Sequence, residues 1–158
     1  MWLLPPVFGD VMKNYSLGFS VYGLVTVALV MAPNILWMFF PPANDVLATG
    51  QTSLPLPDIL ENAGRIALFV LLVLLVNRQG ETGRRSFLTV AVACLAGYYL
   101  LWGLYFAGIA APALLVGMAV LPSACFLCVT LWLRNYIALV PALLFAATHI
   151  CITCYNYL

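Results

Sequence analysis

The chain has 158 residues, of which 65% are hydrophobic and 7% charged, whereas a soluble domain carries about 25% charged residues. That composition excludes a water-solvated globule, and a formal net charge of +1 excludes the dense basic surface that nucleic acid requires. No polar stretch is long enough to build a second domain, so the expectation is one membrane domain spanning residues 1–158.

The chain opens on Met1 to Pro6 and reaches Lys13 only just before its first long apolar run. A cleavable signal has its charge first and its apolar core second, so this segment is expected to be retained. Crossing a hydrocarbon core of about 30 Å takes roughly 20 mostly apolar residues, and five stretches have that length. The first covers 15–40 and is interrupted by Pro33-Asn34. Proline there has no N–H for the carbonyl of Leu29, which predicts a kink or a break. Pro41-Pro42 ends the segment, and a loop rich in turn formers follows as far as Pro57.

The second stretch covers 58–76, with its polar residues confined to the first two turns. After 77–85, which contains Gly80 and Gly83, a third covers 86–106 without a charge. Gly108 predicts a tight turn into a fourth, 109–133, with Pro112 in its first turn and Pro122 deep inside as a second kink. Arg134-Asn135 leads into a fifth, 136–157. The fold class expected is an all-α integral membrane protein, a compact bundle of about five transmembrane helices. Small residues four apart, Gly103 with Ala107, Ala113 with Gly117 and Ala142 with Ala146, are candidate sites of close helix approach.

Basic loops remain cytoplasmic, and in a five-span arrangement Lys13, Arg78, Arg84, Arg85 and Arg134 all fall on one side. The N-terminus is therefore expected inside the cytoplasmic membrane and the C-terminus outside. A four-span arrangement would separate Lys13 from Arg134.

The residues that could carry chemistry start with Asp58, Glu61, Asn62 and Arg65, whose i, i+3, i+4, i+7 spacing puts them on one helix face. At 1.5 Å per residue, Arg65 lies roughly 10 Å along its helix, a depth at which an ionisable group faces a bundle interior or a wet cavity. The five-span topology brings Asn34, His149 and the Tyr98, Trp102 and Tyr105 face of the third helix to the same half of the bundle. The expectation is an outward-facing polar pocket lined by Asn34, Glu61, Asn62, Arg65, Tyr98, Trp102, Tyr105 and His149, with Tyr99 turned elsewhere. The structural alternative makes Asp58 a helix N-cap with Glu61 three residues on, Glu61 an i, i+4 partner of Arg65, and the aromatic run an interfacial belt.

Two Cys-x-x-Cys pairs, Cys125 with Cys128 and Cys151 with Cys154, raise a four-thiolate metal site or a thiol oxidoreductase. Topology puts the pairs on the order of 15 to 20 Å apart along antiparallel helices, so one ion cannot join them. The outer pair has no second exposed pair with which to exchange electrons. No nucleotide-binding, nucleophile-elbow or zinc-protease motif is present, and no catalytic residue, metal or cofactor is assigned.

The segments Ala-Pro-Asn-Ile-Leu-Trp-Met-Phe-Phe-Pro-Pro, Leu-Glu-Asn-Ala-Gly-Arg and Tyr-Tyr-x-x-Trp-x-x-Tyr-Phe resemble those of small, uncharacterised multi-pass membrane proteins of bacteria. The resemblance implies a bacterial cytoplasmic-membrane setting and carries no activity. The leading functional expectation is that the pocket binds a small solute or lipid, the chain acting as a transporter component or sensor. The rivals are an accessory subunit covered by a homo-oligomeric or larger membrane partner, and an integral membrane enzyme acting on a lipid or isoprenoid.

Overall fold

The computed structural model describes residues 14–49, 54–79 and 82–158; Lys13, Gly80 and the segment expected to be retained at the N-terminus lie outside them. In chain order the elements are β1 (Tyr15–Leu17), α1 (Val21–Phe39), α2 (Val46–Thr49), α3 (Pro55–Leu74), β2 (Leu75–Asn77), α4 (Arg85–Phe106), α5 (Pro112–Trp132) and α6 (Tyr136–Tyr157). Among the described residues four helices, α1, α4, α5 and α6, are long and apolar enough to cross a membrane. Helix α3 has the same length, but Asp58, Glu61 and Arg65 occupy its first half.

The sequence reading is corrected at four helix ends, one of them the start of α5, which lies at Pro112 rather than residue 109. Residues 15–17 do not begin the first helix. They pair antiparallel with β2, Tyr15 opposite Asn77 and Leu17 opposite Leu75, which also ends α3 at Leu74 rather than Val76. Ser20 caps α1 by accepting from the Gly23 N–H at 3.0 Å, so the helix starts where a side chain can satisfy its first amides. Helix α3 starts at Pro55, three residues ahead of expectation. Prolines read as loop, yet in a first turn their missing N–H has no helical partner to lose. Asp58 therefore lies inside the helix and is not its N-cap; its Oδ2 accepts from the Leu54 N–H at 3.0 Å.

Proline at position 33 does not break α1, whose helix continues from Val21 to Phe39. The Leu29 carbonyl that Pro33 cannot bond accepts instead from the Tyr99 hydroxyl of α4 at 2.9 Å. One residue on, Asn34 Nδ2 donates to the Val30 carbonyl at 3.2 Å and to the Tyr98 hydroxyl at 2.7 Å. Adjacent tyrosines thus hold α1 at its proline.

Helix α5 is the most enclosed, packed against α4 on one side and α6 on the other, with α3 beyond α6 and α1 resting on α3. Two glycines permit the closest approaches. A Cβ on Gly23 would lie 2.1 Å from the Leu72 carbonyl oxygen, and one on Gly64 would lie 3.1 Å from the Phe145 amide. Ala142 and Ala146 are buried, and a Cβ on Gly117 would meet Leu101 at 2.7 Å, whereas nothing lies within 4 Å of a Cβ on Gly103. The Gly103 position of the expected Gly103–Ala107 pair is therefore not a packing contact. Outward faces carry exposed Leu24, Val25, Ile66, Val70, Val92, Leu100, Val140 and Leu143, an apolar surface compatible with a hydrocarbon surrounding.

The two ends differ. At one, the Arg78 N–H donates to the Asn14 carbonyl beside the ribbon, and the Gly83 N–H donates to the Trp132 carbonyl at 2.6 Å, gathering Arg78, Arg84, Arg85 and Arg134. The centre of this end is Asn135, 2% exposed. Its Oδ1 accepts from the Ala138 N–H at 3.1 Å to cap α6, while Nδ2 donates to the Leu71 and Leu75 carbonyls at 2.9 and 3.0 Å. One amide side chain thus closes the end of α3 and the start of α6. The other end holds α2, Asp45, Asp58 and the turn at Gly108, whose φ of +90° suits a residue without a Cβ.

Candidate functional site: a cavity with one polar wall

A cavity of about 640 Å³ opens in the half of the bundle nearer α2 and is lined from all five long helices. Of the residues singled out from the sequence, Asn34, Glu61, Asn62, Arg65, Tyr98, Trp102 and His149 reach it. Tyr105 does not: it is fully buried and binds the α1–α3 connection instead.

The polar wall is built by α3 and α6. His149 Nδ1 lies 3.3 Å from Glu61 Oε1, and Arg65 Nη1 lies 3.7 Å from the same oxygen. Arg65 Nη2 also donates to Asn62 Oδ1, and Asn62 Nδ2 donates to the Asp58 carbonyl at 2.9 Å. His149 is held in plane by Phe145, stacked at 5.0 Å between ring centroids and tilted by 15°. Both the i, i+4 pair anticipated from the sequence and an inter-helix partner for it are present, so Glu61 is bridged by two basic side chains from different helices. The wall continues along α6 through Thr153 and Asn156 to Tyr157.

The opposing wall is apolar. Val30 and Met31 of α1 and Leu115, Met118, Ala119 and Pro122 of α5 line it, and Phe69, Phe126 and Phe145 form the deep end. Tyr98 and Trp102 are each 3% exposed and stack edge to face at 6.3 Å. The Trp102 indole N–H is buried beside the Tyr98 hydroxyl, with no hydrogen bond of full geometry among the described residues.

Over the mouth, Asp45 gathers the connecting segment. Its Oδ1 accepts from the Tyr105 hydroxyl at 2.8 Å, the Trp37 indole at 3.1 Å and the Ala48 N–H at 3.2 Å, and the Leu47 N–H donates to the Tyr105 hydroxyl at 3.1 Å. Partial burial works against the charged form of Asp45, but these hydrogen bonds outweigh it and hold the carboxyl below its ordinary value. Leu47 and Trp37, fixed in this way, line the cavity.

Sequence reasoning missed Asp45, Trp37, Thr153, Asn156 and Tyr157. The α6 residues carry a usable signal, since Thr153 and Asn156 follow His149 at i+4 and i+7 on one helix face. Asp45 is the single charged residue of the 40–54 connection, but nothing in the sequence pairs it with Tyr105 sixty residues away. Among the described residues no three His, Cys, Asp or Glu side chains come together to hold a metal ion, and all five cysteines are free thiols. Cys125 and Cys128 lie toward the basic end of α5, Cys151 and Cys154 toward the opposite end of α6.

Compared with models of protein families, curated proteins and solved structures, the chain matches none of them. What the cavity can do therefore follows from its own chemistry.

Proposed function

We propose that this chain is a five-span protein of the bacterial cytoplasmic membrane, N-terminus inside and C-terminus outside, that binds a small solute or lipid in this cavity as a transporter component or sensor. Counting α3 as the fifth span is supported by its course. It runs from the α2 end to the basic end alongside α6, and its charged residues face the cavity. The orientation is supported by four arginines at one end and by the lack of Lys or Arg between Pro41 and Pro57.

The observation that carries the reading is the contact between Glu61 and His149 at 3.3 Å on the wall of a 640 Å³ cavity. Ligand sites have volumes of about 300–1,000 Å³ and an apolar lining with a few convergent polar groups. Ionisable side chains in a membrane interior are costly and are associated with binding and translocation.

Native mass spectrometry of the protein extracted with its lipids tests this. A bound molecule retained by the wild type and lost in Glu61→Ala or Arg65→Ala is expected. Variants that lose only thermal stability, with the same bound mass, would transfer the pair to a second role that its geometry also supports, the fastening of α3 to α6.

A further inference from the structure

The donors and acceptors on the cavity wall are not balanced, and the imbalance identifies the ligand. Both carboxylates are engaged: Asp58 accepts from the Leu54 N–H, and Glu61 faces Arg65 and His149. The donors are not. A guanidinium has five N–H groups; Arg65 turns Nη1 to Glu61 and Nη2 to Asn62, and its remaining N–H groups have no acceptor among the described residues. The Trp102 indole N–H on the same lining sits beside the Tyr98 hydroxyl without a hydrogen bond of full geometry, so Arg65 is the principal open donor. A cation would meet an arginine that repels it, with Glu61 already paired to that arginine and Asp58 engaged by a backbone amide. An acceptor-rich anion would meet unsatisfied donors, and carboxylates pair with Arg in a two-point geometry.

The rest of the lining requires an apolar body on that anion. From Asp58 to Phe69 the cavity follows α3 for eleven residues, and from Tyr157 to Phe145 it follows α6 for twelve, a length of about 16–18 Å at the helical rise. Along it, Val30, Met31, Leu115, Met118 and Phe126 offer no hydrogen bond. A wholly polar solute would leave this wall against water, and a wholly apolar one would strip water from Glu61, Arg65 and His149 without replacing its hydrogen bonds.

We infer that the cavity takes an anionic single-chain amphiphile, a hydrocarbon body with a carboxylate head, the head held by Arg65 and the chain laid along the α1 and α5 wall. This rests on the binding reading above and specifies its ligand.

Trp37 and Trp102 line the cavity, so a brominated guest quenches them on contact. The experiment titrates purified protein in non-ionic detergent with 9,10-dibromostearate, with its methyl ester, and with a brominated alkyl trimethylammonium of equal chain length. Saturable quenching by the acid is expected, about tenfold weaker for the ester and for Arg65→Gln, with Arg65→Lys falling between wild type and Arg65→Gln because it retains the charge and loses the two-point geometry. Equal affinity for acid and ester, an unchanged Arg65→Gln, or tighter binding of the ammonium overturns the anionic head while leaving an occupied cavity. Absence of saturable quenching by all three overturns the amphiphile. In that case a different molecule retained in native mass spectrometry and lost in Glu61→Ala preserves the binding reading, and a bare chain removes both.

Discussion

The Tyr99 hydroxyl donates to the Leu29 carbonyl, the group that Pro33 leaves without its helical partner. A proline in a membrane helix exposes a carbonyl that hydrocarbon cannot satisfy, and a neighbouring helix supplies the missing donor. Tyr99→Phe should lower stability by about 1 kcal/mol. In a Pro33→Ala background, where the residue-33 N–H is restored, the same change should cost less than half as much. Thermal unfolding of the four proteins in one detergent gives the coupling directly, and equal costs in both backgrounds would refute it.

Asn135 closes two helix ends with one side chain. Removing it deletes the α6 cap and leaves the Leu71 and Leu75 carbonyls without their donor, so Asn135→Ala should cost about 2–4 kcal/mol. Asn135→Asp retains the capping acceptor and loses the donor; it should fall between wild type and alanine when unfolding is followed by circular dichroism.

Glycine matters at Gly23, which no small-residue pair marks, and not at Gly103, which one does. At Gly23 an added methyl meets the Leu72 carbonyl oxygen at 2.1 Å and must push α1 from α3, so Gly23→Ala should destabilise by about 1–3 kcal/mol. Gly103→Ala meets nothing within 4 Å and should be neutral or stabilising by up to about 1 kcal/mol from helix propensity. Melting temperatures of the two variants moving in the same direction would contradict this account of the packing.

Asp45 predicts an acid limb. Its carboxyl is lowered in the folded protein, so its contribution to stability is fully present above the unfolded value of about 3.9 and is lost as pH falls through the lower folded value. Asp45→Asn should weaken the hold on Trp37 and Tyr105 at neutral pH and lie closer to wild type as the medium approaches pH 3. Stability measured from pH 3 to 7 should therefore converge for the two proteins at the acid end; parallel curves would remove the role assigned to the carboxylate.

Much of the cavity was legible because helical spacing is rigid. Asp58, Glu61, Asn62 and Arg65 fall on one face whatever their neighbours are, and antiparallel connections fix which residues of α1, α4 and α6 share their level. Tyr105 was misplaced because spacing gives a face but not the object it meets; it shares the face of Tyr98 and Trp102, yet lies one turn further out, where the connecting segment covers the bundle. The start of α3 was misread because Pro55 and Pro57 signal a loop by composition and a first turn by geometry. The ribbon was invisible because Tyr15 to Leu17 and Leu75 to Asn77 are as apolar as the helices they adjoin, and only pairing across sixty residues makes them strands.

That ribbon sets an order of events during synthesis. Chains emerge at about 5–20 residues per second, so β1 is made several seconds before the strand that pairs with it, and α1 must wait for α3. The end of α3 waits longer still, because the side chain that accommodates Leu71 and Leu75 belongs to Asn135, near the start of the final helix. A nascent chain stopped at the end of α5 would carry Arg78, Arg84 and Arg85 but lack both Arg134 and the asparagine beside it, so the end of α3 is closed only once α6 has begun.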